Sequence, residues 1–290
     1  MSWRTIVISK RAKLDMQLGY MVVRSDEITK IVLNEIATIV IESTAVSITT
    51  SLLAELSKRK VKVIFCDEKK NPSSELVSYY GSHDTSNKVR KQIAWKENTK
   101  EAVWTEIVTE KIRKQKELLE LLGKGESELL SSYLKQIAWN DETNREGHAA
   151  KVYFNALFGL EFTRTEDCLT NAALNYGYSI ILSTFTREIV ANGYITQLGL
   201  FHDNMFNQFN LASDLMEPFR PLVDKQVLNM KFEQFDHEEK MELVNLLNHE
   251  VQIDGKMQYV NNAIKIYCKS VFDALNEDDS ALIRFYKIEL

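Results

Sequence analysis

The sequence predicts an α+β protein, with a β-sandwich-like domain over residues 1–78 followed by a mostly α-helical domain over 79–290. Short runs rich in Val, Ile and Thr alternate with polar breaks in the first part, a pattern typical of strands. In the second part, apolar residues recur at helical spacing almost to the end of the chain. The polar stretch Gly81–Ser86 separates the two patterns, and a length of 290 residues suits two domains.

The predicted N-terminal domain combines short strands with one helix. Helical spacing places that helix at Ile48–Lys58, and the turn residues Asn71–Ser74 precede a last strand that reaches Val77. Exposed sheet edges on so small a unit often pair between protomers, so we expect residues 1–78 to form the interface of a homodimer. The other strands are predicted at Trp3–Ile8, Leu14–Leu18, Met21–Val23, Ile28–Leu33, Ile36–Ile41 and Val61–Phe65.

The remainder of the chain reads as a series of helices. Gly159 and Gly193 are natural helix ends. The turn Gly123–Gly125 follows a helix rather than a strand, so it is no nucleotide-binding glycine loop. Helices are predicted at 87–122 with interruptions, 126–137, 143–158, 170–192, 211–229, 237–249 and 257–276.

Composition favours a globular protein of the cytoplasm. Hydrophobic residues make up 44% of the chain and charged residues 27%, which is enough for a core and ordinary for a globular protein. The longest uncharged run, Cys168–Thr186, carries too many polar groups for a lipid-facing span, so we expect no membrane association. The three cysteines are far apart and form no C-x-x-C pair, so we expect buried, reduced thiols.

Charge is distributed unevenly along the chain. The formal net charge is -5, which argues mildly against nucleic acid as a partner. Nevertheless Ser86–Lys116 holds nine Lys or Arg against four Glu, a net of +5, whereas Phe232–Leu290 holds six against twelve acids, a net of -6. The basic segment is compatible with local phosphate binding, and equally with a solvated helix face.

One stretch concentrates the residues typical of a metal site. In Phe201–Lys225, three acids lie between His202 and Pro218, namely Asp203, Asp214 and Glu217. Carboxylates crowded beside an imidazole need a neutralising cation, for which a divalent metal is the simplest candidate. Oxygen ligands suit Mg²⁺ or Mn²⁺, and the imidazole favours Mn²⁺. The alternative is a solvated acidic helix face beside a loop histidine.

A second informative stretch begins a helix at Asn144. Thr143–Glu146 fits a capping box, in which the Glu146 carboxylate reaches back to a backbone N–H. Alternatively, Glu146 lines the opposite side of a cleft and supplies a third metal ligand. His148 lies about 200° around the helix from Glu146, so the two cannot easily share one ion. We expect His148 to be buried or to support a ligand.

Two long motifs are distinctive, NREGHAAKVYFNALFG and GLFHDNMFNQFNLASDLMEPFRPLVDK. Three further segments accompany them, NAALNYGYSIILSTFTREIV, MSWRTIVISKRAKL and IFCDEKKNPS. Together they resemble the CRISPR-associated protein 1 family, the spacer-acquisition integrase, in the branch that works beside a single large RNA-guided nuclease (type II). The resemblance runs nearly end to end and is least distinctive past Met230. It implies an N-terminal β domain for dimerisation and a helical catalytic domain.

The resemblance also implies a site and a reaction. By match, the metal ligands are Glu146, His202 and Glu217, with Asp214 as an auxiliary ligand or a support. The implied reaction uses Mg²⁺ or Mn²⁺ to join the 3′-hydroxyl of a short DNA duplex, the prespacer, to the CRISPR repeat. The implied partners are double-stranded DNA, a second copy of the chain and the small CRISPR-associated protein 2. Arg145 flanks one ligand and is expected to bind DNA phosphate or to balance carboxylates.

Three other interpretations remain open from the residues. Arg220, like Arg145, can either clamp a phosphate or neutralise a ligand carboxylate. The dipeptides His83-Asp84 and His202-Asp203 are similar to those of metal phosphohydrolases, although no further histidine has suitable spacing. A helical adaptor that binds DNA ends without cutting them would need the basic segment but no metal site. Tyr176 and Tyr178 are expected in the core.

Overall fold

The computed structural model describes residues 4–68, 70–78, 82–230 and 233–287. Contacts between Cα atoms divide the chain into two compact units. One consists of Met1–Thr85 with Val190–Gly193, and the other of Ser86–Ile189 with Tyr194–Leu290. β-sheets dominate the first unit and helices the second, so the predicted α+β class is confirmed.

The first unit contains eight described strands and one helix. They are β1 Arg4–Ile8, β2 Ala12–Gln17, β3 Tyr20–Arg24, β4 Ile28–Val32, β5 Ile36–Ile41, β6 Val46–Ile48, α1 Thr50–Lys58, β7 Lys62–Cys66 and β8 Pro72–Leu76. One four-stranded sheet has the order β1-β5-β7-β8, and the other has the order β4-β3-β2-β6. The two sheets and α1 share one hydrophobic core, which includes Leu14, Met21, Ile39, Leu52 and Val63.

The short strand β6 was not predicted from the sequence. It pairs in parallel with β2, where Ile48 lies opposite Leu14. Helix α1 therefore begins later than expected, after Thr49, whose hydroxyl accepts a hydrogen bond from the Leu52 amide. A strand of three residues is too short to show the alternation on which strand prediction depends.

The second unit is built from nine described helices and one hairpin. They are α2 Thr85–Ile93, α3 Glu97–Leu121, α4 Ser127–Leu134, α5 Arg145–Phe158, α6 Leu169–Ala191, α7 Asn210–Met216, α8 Arg220–Asn229, α9 His237–Asn245, β9 Glu250–Ile253, β10 Lys256–Tyr259 and α10 Val260–Glu277. The long helix α3 packs against α4, α5, α8 and α10. None of the described helices is long and apolar enough to cross a membrane.

Two differences from the prediction concern this unit. The sequence predicts a helix from residue 257, but β9 and β10 form an antiparallel hairpin there. Asp254 and Gly255 connect the strands with φ angles of 52° and 71°, as the two-residue Asp-Gly turn requires. The predicted helix 211–229 is divided at Glu217–Phe219, where a 3-10 turn around Pro218 separates α7 from α8. Glu217 therefore lies in the 3-10 turn between the two helices.

Candidate metal centre

Glu146 does not act as a helix cap. The amide of Arg145 donates to Asp141 Oδ1 at 2.8 Å, and the amide of Glu146 donates to Asp141 Oδ2 at 3.0 Å. Asn144, with a φ of 52°, accepts from the Gly147 amide through its side chain at 3.2 Å. These two side chains satisfy the first turn of α5. The capping-box interpretation of Glu146 is therefore wrong, and its carboxylate is available for other contacts.

The carboxylates of Glu146 and Glu217 are joined by one buried ammonium. Lys111 Nζ, on α3, donates to Glu146 Oε1 and contacts Glu217 Oε2 in an ion pair. The side chains of Lys111 and Glu217 are only 8% and 5% exposed, whereas that of Glu146 is 27% exposed. Arg220 Nε donates to the other oxygen of Glu217 at 2.8 Å. Two acids from distant parts of the sequence thus share Lys111, and Glu217 has Arg220 as a second cationic partner.

The cations determine the protonation of this cluster. Burial raises the pKa of Glu217, but the charges of Arg220 and Lys111 outweigh it and bring the pKa down to about 2. Burial lowers the pKa of Lys111, yet the charges of Glu217 and Glu146 raise it above its ordinary value. Glu217 and Lys111 are consequently both ionised at neutral pH.

His202 is held by the buried carboxylate of Asp214. The ring Nδ1 of His202 lies 2.5 Å from Asp214 Oδ1, and the same carboxylate accepts from the amides of Leu200, Phe201 and His202 at 2.6, 3.2 and 3.1 Å. Asp214 is fully buried. A Cβ at Gly199 would lie 2.3 Å from the His202 carbonyl and 2.7 Å from Asp214 Oδ2, so only glycine fits this tight loop.

Aromatic rings fix the imidazole from its sides. Trp104 and Phe201 stack with centroids 4.6 Å apart, and each meets the His202 ring edge-on with centroids 5.8 Å away. The hydrogen bond that the imidazole donates to Asp214 raises the pKa of His202 against the effect of burial, and the charges of Glu217 and Glu146 raise it further. His202 is therefore close enough to Glu146 and Glu217 for their charges to act on its pKa.

The arrangement brings the predicted ligands near one another without joining all three. Within the described part of the chain, no group of three or more His, Cys, Asp or Glu side chains already has the arrangement of a metal site. Lys111 binds the acids and Asp214 binds His202. The donor chemistry nonetheless fits Mg²⁺ or Mn²⁺, because it offers two carboxylates and an imidazole whose Nδ1 is fixed by another carboxylate.

The other predicted site residues have mixed outcomes. Arg220 balances Glu217 and lies over the Tyr178 ring at 4.7 Å, while the Arg145 guanidinium lies 5.6 Å from the centroid of the Tyr133 ring. His148 is exposed, so the expectation that it is buried is wrong. The expected core positions of Tyr176 and Tyr178 are confirmed. Cys66 and Cys268 are buried as expected, but Cys168 is only half-buried.

The dipeptides His83-Asp84 and His202-Asp203 do not form a phosphohydrolase centre. Asp203 is exposed, and His202 pairs with Asp214 instead. His83 is exposed as well.

Two buried residues of this region, Lys111 and Asp224, were not predicted from the sequence. Lys111 occupies the apolar side of α3 between Trp104, Val108 and Leu118, and a lysine in such a position is the signal that could have revealed it. Asp224 is fully buried and accepts hydrogen bonds from the hydroxyls of Tyr153, at 2.9 Å, and Tyr178. Burial raises its pKa to about 6 despite those bonds.

Comparison with known proteins identifies the chain. The sequence pattern of the family described as "CRISPR associated protein Cas1" matches residues 5–250. The CRISPR-associated endonuclease Cas1 of Neisseria meningitidis serogroup C (strain 8013) is 34% identical over 232 residues, 79% of this chain and 76% of the relative. Fold and site define a two-part α+β protein with a carboxylate–histidine centre. The chain belongs to the CRISPR-associated Cas1 family, which confirms the resemblance found in the sequence.

Two solved structures share the fold. A structure described as casposase bound to integration product has a TM-score of 0.77 at 17% identity, and the match covers 96% of this chain and 92% of the casposase. A structure described as a Cas6-RT-Cas1–Cas2 complex has a TM-score of 0.73 at 18% identity and covers 97% of this chain. This chain spans 36% of the length of that one. At such identities the likeness concerns the fold alone.

Proposed function

We propose that the chain is a metal-dependent DNA integrase and endonuclease of CRISPR adaptation, an antiviral defence. It joins the 3′-hydroxyl ends of short foreign DNA to the CRISPR repeat by transesterification. The observation that carries the proposal is the cluster of Glu146 and Glu217 around one cation, beside an imidazole fixed by Asp214. Membership of the Cas1 family and similarity to a curated Cas1 endonuclease support it.

Each residue of the proposed metal centre would have a distinct role. Glu146 and Glu217 offer hard anionic oxygens, and His202 offers the ring nitrogen that Asp214 does not bind. Mg²⁺ or Mn²⁺ held by these groups would help ionise the attacking hydroxyl and neutralise charge at phosphorus. Arg220 keeps Glu217 ionised and oriented. Asp214 fixes the orientation of the imidazole, so we assign Asp214 a supporting role rather than direct ligation.

Binding of DNA would fall to cations outside the ion-paired cluster. Of the nine cations in Ser86–Lys116, Lys111 and Lys114 are buried in ion pairs, so they cannot contribute to a basic surface as they stand. Arg90 and Lys91 on α2 are exposed and suit phosphate contacts. Arg145, at the start of α5, is a further candidate because it flanks Glu146.

Assembly is proposed through the N-terminal unit. Leu18 is 90% exposed at the turn between β2 and β3 and has a φ of 49°, which is unfavourable for a bulky side chain. Met16 and Tyr20 beside this turn and Ile28 on β4 are also exposed, so this part of the sheet carries several exposed apolar side chains. We propose that a second copy covers it. The assembled dimer would join CRISPR-associated protein 2 on DNA in the cytoplasm.

A joining assay tests the function. A labelled duplex with free 3′-hydroxyls should become covalently attached to plasmid that contains the repeat, in Mg²⁺ or Mn²⁺, whereas a duplex ending in a dideoxynucleotide should not. The variant Glu217→Gln should lose joining by orders of magnitude, while Glu110→Gln, a buried acid of α3 paired with Lys114, should retain it. Equal nicking with both duplexes and no joined product would show that water is the nucleophile. DNA binding without nicking or joining would favour an adaptor.

A further inference from the structure

Lys111 is the residue of the centre for which the proposed reaction gives no role. Its side chain is 8% exposed and extends from α3 to the carboxylates of Glu146 and Glu217, which belong to other elements. A buried ammonium is tolerated only with such partners, since an unpaired one would lose its proton. Its position between two acids is therefore specific, unlike that of a surface lysine.

The charges of the cluster cancel with Lys111 in place. Glu146 and Glu217 contribute two negative charges, and Lys111 and Arg220 contribute two positive ones. A divalent cation entering beside these four groups would leave a buried excess of positive charge. It would also compete with the ammonium for Glu146 Oε1 and Glu217 Oε2, the oxygens that Lys111 contacts.

We propose that Lys111 is a built-in counter-ion of the metal site, which holds Glu146 and Glu217 together before metal binds and is displaced from them by the metal. The inference rests on the proposed function, because it takes the two acids as ligands. Lys111 is then a positioning residue that sets the affinity for metal: each ion that binds must break two ion pairs.

The same helix provides a matched control. Lys114 is also buried, at 2% exposure, and pairs with Glu110 at 3.2 Å and Glu117 at 2.8 Å. It lies over the Tyr286 ring, 5.0 Å from the centroid, instead of contacting a proposed ligand. Replacing either lysine by Met removes a buried ammonium from α3, but only Lys111→Met removes one from the metal site.

The test is calorimetric titration of Mn²⁺ into the full chain, together with thermal unfolding in EDTA and in Mn²⁺. Lys111→Met should bind Mn²⁺ about tenfold tighter or more, because a like charge close to the ion has been removed. Its melting temperature should fall in EDTA and rise with Mn²⁺ by more than that of the wild type. Lys114→Met should melt lower in EDTA but retain the affinity and the Mn²⁺-induced rise of the wild type.

Two further variants keep the outcome decisive. Lys111→Arg preserves the charge and should keep the wild-type affinity, whereas Lys111→Gln is neutral, retains hydrogen-bond donors and should tighten binding even if Lys111→Met does not fold. Unchanged or weaker binding by a folded neutral variant would overturn the proposal. Failure of the proposed ligands gives a different result: Glu146→Gln and Glu217→Gln would then leave Mn²⁺ binding unaffected in the presence of Lys111.

Discussion

Asp214 holds His202 twice, through the ring Nδ1 at 2.5 Å and through the backbone amide at 3.1 Å. The carboxylate is fully buried and also accepts the amides of Leu200 and Phe201. The loop and the imidazole therefore depend on one side chain, which places the ring beside the acids of the centre.

Replacing the Asp214 carboxylate should lower the affinity for Mn²⁺ while the protein still folds. Asp214→Asn retains the size of the side chain but removes its charge and one acceptor oxygen. We expect stability to fall by about 1–3 kcal/mol, as for a buried partner that is lost, and Mn²⁺ affinity to fall about 10–100-fold. Urea unfolding and calorimetry measure the two effects. Asp203→Asn, at an exposed neighbour, is the control. Unchanged Mn²⁺ affinity in Asp214→Asn would contradict the supporting role.

Removal of Glu217 should destabilise the metal-free protein. If the ligand acids simply repelled each other, Glu217→Gln would raise the melting temperature. In the structure, however, Glu217 pairs with both Lys111 and Arg220, so its loss leaves two cations short of a partner. We expect a loss of about 3 kcal/mol in EDTA, measured by urea unfolding. Glu146→Gln, at a more exposed position, should lose less. A rise in stability for Glu217→Gln would mean that the ion pairs do not form in solution.

Asp224 should make stability depend on pH. Its pKa is about 6 in the folded protein against an ordinary value of 3.8, so the folded state binds the proton more tightly. The resulting stabilisation is fully present below pH 3.8 and is lost as pH rises through 6, a change of about 3 kcal/mol. Groups that face it are Tyr153, Tyr178, Arg220 and Lys111.

The comparison with Asp224→Asn isolates this effect from other titrations. Between about pH 4 and pH 7, titration of Asp224 should lower the unfolding free energy of the wild type. The variant should lack this contribution, while the contributions of all other groups stay the same in both proteins. Urea unfolding at several pH values measures the difference. Identical pH profiles for the two proteins would show that Asp224 ionises normally.

Replacing Leu18 should change both the stability of the isolated chain and the strength of the dimer. Asparagine tolerates the left-handed conformation better than leucine, so Leu18→Asn should stabilise the isolated chain by about 1 kcal/mol or less. It should also weaken a dimer that buries the hairpin, which analytical ultracentrifugation measures. Leu160→Asn, at a position 83% exposed in the other unit, should leave the dimer unchanged. A monomeric wild type at all concentrations would exclude the proposed interface.

Long apolar patterns in the sequence were enough to predict the fold class. The strand Ile36–Ile41 is a continuous run rich in β-branched residues, and the helix Leu169–Ala191 is too long an apolar segment for a strand. The hairpin strands Glu250–Ile253 and Lys256–Tyr259 have only four residues each, so Asp254-Gly255 was their main signal.

The candidate site was predictable in its acids and histidine but not in their contacts. The cap at Asp141 depends on positive φ angles at Asn140, Asp141 and Asn144, which local propensity does not specify. Lys111 meets Glu146 and Glu217 only because α3 packs against α5 and against the 3-10 turn after α7. Ion pairs between residues so distant in sequence leave no local pattern.

The most direct test of the metal centre is a crystal structure of the chain with Mn²⁺, with the ion located by its anomalous scattering. We expect one anomalous peak in contact with Glu146, His202 and Glu217, with Lys111 withdrawn from both acids and Asp214 still bound to the imidazole. A peak elsewhere, or none near these side chains while Lys111 keeps both ion pairs at saturating Mn²⁺, would contradict this metal centre.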